Sequence, residues 1–166
     1  MPAVEIDIDV EEPDSWPAPP ATLQRVVEDA VRAALAEAGT GGADPVSVSV
    51  SLSGNARVRE LNREWRGRDR PTNVLSFPAP RNMPLPGDGG PRPLGDIVLA
   101  GPVVAREAEE AGVPLEEQLA WMVIHGMLHL LGYDHLDDEG RRRMEELERR
   151  SLARLGYADP YAGAET

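Results

Sequence analysis

All three histidines of the 166-residue chain lie in one eleven-residue stretch, His125-Gly-Met-Leu-His129-Leu-Leu-Gly-Tyr-Asp-His135. Neutral imidazoles are common metal ligands. His125 and His129 stand four apart, so on a helix their rings leave one face a turn apart. Gly132 can end that helix in a left-handed cap, and the turn after it can swing His135 back toward the pair. Three neutral imidazoles converging in this way make a zinc site with an open fourth position, the arrangement of a catalytic rather than a structural ion. A lone histidine on an apolar helix is usually a packed residue. The third one, behind a glycine turn in a chain with no others, is what points to a metal. The chain has no cysteine, so disulfides and thiolate ligands are excluded and zinc must be held by nitrogen and oxygen.

Such a zinc keeps its full positive charge, lowers the pKa of a bound water to about 7 and polarises carbonyl or phosphoryl oxygens, so hydrolysis is its natural chemistry. The spacing His-x3-His-x2-Gly-x2-His equals that of the metzincin proteases, in which a glutamate general base follows the first histidine. That position is Gly126 here, which cannot carry a proton, so the peptidase reading loses its base.

The elements that must position these groups follow from the hydropathy pattern. Residues 4–10, 46–52, 72–77 and 96–100 read as strands, the first two by strict alternation of apolar and polar residues. Apolar residues recur at helical spacing over about 22–38, stopped by Gly39, and a short helix over 53–65 carries Val58, Leu61 and Trp65 on one side. Residues 102–111 form a further helix. The histidine helix opens at Pro114 with Glu116 and Glu117 facing its dipole, and it runs to Leu131 with enough apolar residues to be a central, largely buried element. A charged helix follows over 137–155, and residues 157–166 read as a flexible tail. Six prolines and three glycines over 78–93 predict a long irregular loop. This order predicts one domain over 1–166 of the α+β (mixed α/β) class, a single four-stranded mixed sheet with helices packed on it.

Composition narrows the function. The acidic start of the chain is unlike a signal peptide, and no apolar run approaches a membrane span, so the expectation is a cytoplasmic protein with no membrane role. A net charge of −12 argues against a general nucleic-acid binder, and no DNA partner is expected. Every basic residue is an arginine, which coding bias explains. Charge is unevenly spread, however: from Arg57 to Arg92 eight arginines stand against Glu60, Glu64, Asp69 and Asp88, a local balance of +4. A basic segment on an acidic body can still hold a phosphate, because screening makes local charge dominate.

Three stretches together carry a resemblance: the histidine motif, Leu61-Asn-Arg-Glu-Trp-Arg-Gly-Arg-Asp-Arg-Pro-Thr-Asn-Val-Leu-Ser-Phe-Pro78, and Leu94-Gly-Asp-Ile-Val-Leu-Ala100. In this order they resemble the YbeY family of bacterial endoribonucleases, also described as rRNA maturation factors. The resemblance implies cleavage of single-stranded RNA in ribosomal RNA processing, at the 3′ end of the small-subunit rRNA, and in ribosome quality control. It implies one Zn²⁺ per chain on His125, His129 and His135, and small-subunit ribosomal components as partners. Arg66 matches the family's functional arginine, so Arg66 and His125 become the catalytic candidates. The loop over 78–93 and the acidic balance are this chain's own, and a ribosomal partner can supply the affinity that the acidic body lacks.

The residues are compatible with that chemistry. Phosphodiester cleavage passes through a state of extra negative charge, which a zinc ion and a guanidinium fork both stabilise. Arg66 is the candidate fork, although without the resemblance it reads more readily as a solvated arginine after a helix. Arg59, Arg63, Arg68 and Arg70 are candidates for RNA-backbone contacts whose binding weakens with salt. Asp134 either accepts a hydrogen bond from a ligand imidazole or caps the next helix. Asp96 reads as a buried structural carboxylate, and Ser76 and Thr72 as strand residues. Trp65 reads as a core residue, with base stacking its alternative, as it is for Tyr133. Two rival readings use the same metal: a peptidase or esterase with another base, and a ribosome-associated assembly factor whose metal only stabilises the fold.

Overall fold

The computed structural model describes residues 3–40, 45–70, 72–80 and 90–162. Strands β1 (Val4–Val10), β2 (Val46–Ser53), β3 (Val74–Pro78) and β4 (Arg92–Ala100) form one sheet in the order β1-β2-β4-β3. β1 pairs parallel with β2 and β2 with β4, whereas β3 runs antiparallel to β4 at the edge. Helices α1 (Pro20–Ala38), α2 (Asn55–Arg66), α3 (Gly101–Ala111), α4 (Leu115–Leu130) and α5 (Asp138–Arg154) complete the fold, with a 3-10 turn at Pro13–Ser15. The expected single mixed sheet of four strands with packed helices is therefore what the chain forms. Among the described residues, no helix is long and apolar enough to cross a membrane.

Alternation sorts the sheet into two faces. Val46, Val48, Val50 and Leu52 of β2 turn into the main core with Leu23, Val27 and Leu35 of α1 and Leu119, Val123 and Leu128 of α4. Ile97 and Leu99 of β4 join them, while Leu75, Val98 and Ala100 point to the other face and meet Val58 and Leu61 of α2. Helix α4 lies within the core, in contact with α1, α3, α5, β3 and β4. Ten of its sixteen residues are buried, and each fully buried leucine contributes about 1.5–3 kcal/mol. Burial on so many sides is why its sequence is apolar nearly all round.

Several boundaries differ from the sequence expectation, each for a local reason. α1 begins at Pro20, since proline at the first helical position lacks only an amide that would be unpaired anyway. β3 starts at Val74 because the Asn73 side chain accepts the Val74 amide at 2.7 Å in a turn. β4 starts at Arg92, inside the segment read as irregular, because its first half gains β2 as a parallel partner across a bulge that leaves Leu94 without a β2 partner. Residues 81–89 of that predicted loop lie outside the described residues. Of the segment read as a tail, residues 163–166 lie outside the described residues, and residues 157–162 are packed: the Tyr157 amide donates to the Leu152 carbonyl at 3.0 Å, Tyr157 packs on the main core, and Tyr161 returns to α4 and α5.

Gly95 occupies the bulge with φ +142°, a conformation open essentially to glycine alone, and a Cβ there would lie 2.3 Å from the Phe77 carbonyl oxygen. Gly95→Ala should lower stability by about 1–3 kcal/mol through backbone strain. Urea unfolding measures this, and an unchanged midpoint would show that the β3–β4 pair accommodates the methyl group.

Candidate metal centre

The end of α4 brings the three histidines together by local geometry. Gly132 has φ +98°, its amide donates to the His129 carbonyl at 3.0 Å, and the Tyr133 amide donates to Leu128 at 3.0 Å. This is the Schellman arrangement, and it turns the chain so that His135 comes back over the helix end. The ring centroids lie 4.6 Å apart for His125 and His129, 5.5 Å for His129 and His135, and 6.0 Å for His125 and His135. One nitrogen from each ring falls within 4.8 Å of the other two.

The donor set fits a zinc ion. Two nitrogens bound to one tetrahedral zinc at about 2.0–2.1 Å stand about 3.3 Å apart, and the Nε2 atoms of His125 and His129 are 3.1 Å apart. The wider separation in the triad therefore involves His135, the exposed member on the turn. Burial lowers the pKa of His129 to about 4, helped by His125, His135 and the positive charge of Arg66. A neutral His129 is the form that ligates a metal. Among the described residues no carboxylate joins the triad, which leaves a ligand position open.

The carboxylate bonded to an imidazole of the triad is Glu148 on α5 and not Asp134. Glu148 is 1 % exposed, and its Oε2 lies 3.0 Å from His125 Nδ1. Its Oε1 accepts from Trp121 Nε1 at 2.6 Å and from the Tyr161 hydroxyl at 2.5 Å. Burial raises the Glu148 pKa, but bonds from His125, Tyr161 and Trp121 outweigh it, so the carboxyl stays below its ordinary range. Burial and the neighbouring Glu148 raise the pKa of Tyr161, which remains a hydrogen-bond donor. Asp134 is exposed and accepts the Leu136 amide at 3.1 Å, and the cap of α5 is Asp137, which accepts from Gly140 at 2.6 Å. Glu148 escaped sequence reasoning because it sits in a charged helix where solvent exposure is the expectation. The signal available was its place one turn after Met144, on the packed side.

Arg66 is the last residue of α2 and exposed, and its charge is felt at His129. Gly67 ends α2 at φ +68°, and buried Asn62 donates to the Arg70 carbonyl at 2.9 Å, which ties down the segment carrying Arg68 and Arg70. Arg63, Arg68 and Arg70 are exposed, whereas Arg59 is forked onto Asp69 at 2.8 and 3.1 Å. That fork raises the Arg59 pKa and lowers the Asp69 pKa. Arg66 also lines a groove of about 900 Å³ on the open sheet face, with Arg57, Trp65, Phe77 and Asp96. Two expectations fail there. Trp65 is 70 % exposed, with its ring 6.1 Å from Phe77, because α2 turns only Val58 and Leu61 into the core. Asp96 is exposed as well, since alternation along β4 aims it away from α4. Tyr133 is partly buried against the main core, with the Arg143 guanidinium 5.6 Å from its ring.

Comparison with known proteins agrees with this architecture. The family model described as endoribonuclease YbeY matches residues 9–156. The chain belongs to the YbeY endoribonuclease family. It is 47% identical over 155 residues to the endoribonuclease YbeY of Rhodopseudomonas palustris, covering 92% of this chain and 78% of that one. It is 46% identical over 159 residues to that of Azorhizobium caulinodans, covering 96% and 97%. A Thermotoga maritima protein with a known solution structure superimposes with a TM-score of 0.54 at 28% identity, covering 94% of this chain and 98% of that one.

In this YbeY chain, Gly126 has a structural task. A Cβ at 126 would lie 3.1 Å from Ile97 Cγ2 and 3.1 Å from Ser76 Oγ, so the glycine lets α4 approach β3 and β4 closely. The Ser76 hydroxyl, 3.4 Å from the Gly126 carbonyl, lies in the same contact. The position thus faces the sheet and not the metal-binding side. Gly126→Glu should not create a peptidase. Overpacking of this contact should cost about 1–3 kcal/mol. Thermal unfolding and a casein-hydrolysis assay check both, and a stable, proteolytic variant would contradict the packing role.

Proposed function

We propose that this YbeY protein is a zinc-dependent endoribonuclease that cuts single-stranded RNA. Its place is the cytoplasm, in ribosomal RNA maturation at the 3′ end of small-subunit rRNA and in ribosome quality control. Small-subunit components are the proposed partners. The observation that carries the reading is the convergence of His125, His129 and His135, with no carboxylate closing the set among the described residues and with the charge of Arg66 felt at His129. His125, His129 and His135 would hold one Zn²⁺, which supplies a Lewis acid and a source of nucleophile at neutral pH.

The chain's own residues do the rest. Arg66 reaches the phosphate as a guanidinium fork, matching charge that grows in the transition state. Arg63, Arg68 and Arg70, exposed around it, contact the RNA backbone; Arg59 joins them only by exchanging Asp69 for a phosphate. An acidic protein with this local basic segment gains affinity from a ribosomal partner, and binding weakens as salt rises. The peptidase alternative is disfavoured by the orientation of Gly126. The purely structural metal is disfavoured by the open ligand position.

Arg66→Ala should leave the metal content intact and slow cleavage of single-stranded RNA by about 10²–10³-fold. His129→Ala should lose the metal and the chelator-sensitive activity together. Metal analysis of the purified proteins, paired with a single-stranded RNA cleavage assay, checks both. Parental cleavage by Arg66→Ala would remove the fork assignment, and a metal-replete but inactive parent would favour the assembly factor.

A further inference from the structure

Glu148 is a carboxylate inside the protein, and such a group is tolerated only when its lone pairs are satisfied. Its three hydrogen-bond partners come from two directions. Trp121 and His125 stand four apart on α4 and turn the indole N–H and the imidazole Nδ1 to one face. Tyr161 comes from the C-terminal segment, which is itself fastened to α5: Asp159 pairs with Arg149 at 3.0 Å and accepts the Tyr161 amide at 2.8 Å. The Tyr161 ring packs edge-on against Trp121 with centroids 5.6 Å apart. Oε1 thus serves Trp121 and Tyr161, and Oε2 serves His125.

We propose that Glu148 is a positioning residue that holds the proton of His125 on Nδ1 and so keeps the Nε2 lone pair directed at His129, with Trp121 and the C-terminal Tyr161 fixing the carboxylate in that task. Its consequence for metal affinity rests on the zinc reading above; the tautomer itself does not. With Nδ1 donating to Glu148, His125 Nε2 carries a lone pair 3.1 Å from His129 Nε2. A neighbouring lone pair there would repel it, so a cation or a shared proton must lie between the two rings. Residues 157–162, outside the histidine motif, thereby belong to the site.

The substitution Glu148→Gln separates this role from simple packing, because an amide is nearly the same shape but has one acceptor side. Trp121 Nε1–H can only donate, so the amide oxygen must stay with Trp121 and Tyr161. The NH₂ group then faces His125 Nδ1, which must accept, and the imidazole proton moves to Nε2. Adding Trp121→Phe releases the amide. The Tyr161 hydroxyl can then rotate and accept from the NH₂ group, and the amide oxygen turns to His125 and restores the Nδ1 proton.

The test reads the ¹⁵N shifts of the His125 ring in the metal-free full-length chain, and zinc affinity by competition with a chromophoric chelator. The parent should show His125 protonated at Nδ1. Glu148→Gln should show Nε2 protonation and bind zinc about 10–100-fold more weakly, and Trp121→Phe added to it should recover most of both. An Nε2-protonated parent overturns the proposal, as does a folded Glu148→Gln that keeps the parental tautomer and affinity. If Glu148→Gln fails to fold, the parent's tautomer alone decides. Tautomers that shift as stated in a parent that binds no zinc would uphold the positioning role and sink the zinc reading.

Discussion

Helix α4 must be buried on almost every side and still leave its C-terminal end to ligands. The rest of the structure is arranged around that requirement. Its leucines, Val123 and Ile124 fill the space between α1 and the sheet, and Gly126 removes a side chain where the helix meets β3 and β4. A helix so enclosed has few ways to shift, and fixed ligand geometry is what a metal site requires. His125, at 25 % side-chain exposure, stands where the enclosed part of the helix meets the solvent-facing end.

Burial carries an electrostatic consequence. Glu148 and His129 are both drawn away from water, and each is accommodated differently. Hydrogen bonds with His125, Tyr161 and Trp121 hold the carboxyl below its ordinary range despite burial. The imidazole has positive neighbours and stays neutral. A buried carboxylate beside His125 and the burial of His129 among positive neighbours leave His129 in the neutral form that a metal requires. Arg66, exposed at the end of α2, adds positive charge that is felt at His129 on a protein of net charge −12.

The C-terminal segment shows how composition misleads near a chain end. Polar and small residues after Gly156 suggest fraying, yet Tyr157 packs on the core and Tyr161 completes the Glu148 network. Two aromatic residues among few others in the chain were the available sign. Trp65 errs in the opposite direction. Large aromatic residues are usually covered, but α2 covers only part of the open sheet face, and the indole lies at the groove rim beside Phe77.

Local chemistry determined the strands β1 and β2, the helical course of α4, the glycine cap and the convergence of the three imidazoles. Each depends on periods of two or four residues, or on one left-handed glycine, and such spacings are written directly in the chain. The single mixed sheet was legible for a related reason: the order of strands and helices leaves few ways to bury their apolar faces. Tertiary structure alone decided that Glu148 and not Asp134 bonds His125, that Arg59 is committed to Asp69, and that the charge of Arg66 is felt at His129. Those interactions join residues 10 to 63 positions apart. Their partners are chosen by how whole elements pack, and no local periodicity encodes that choice.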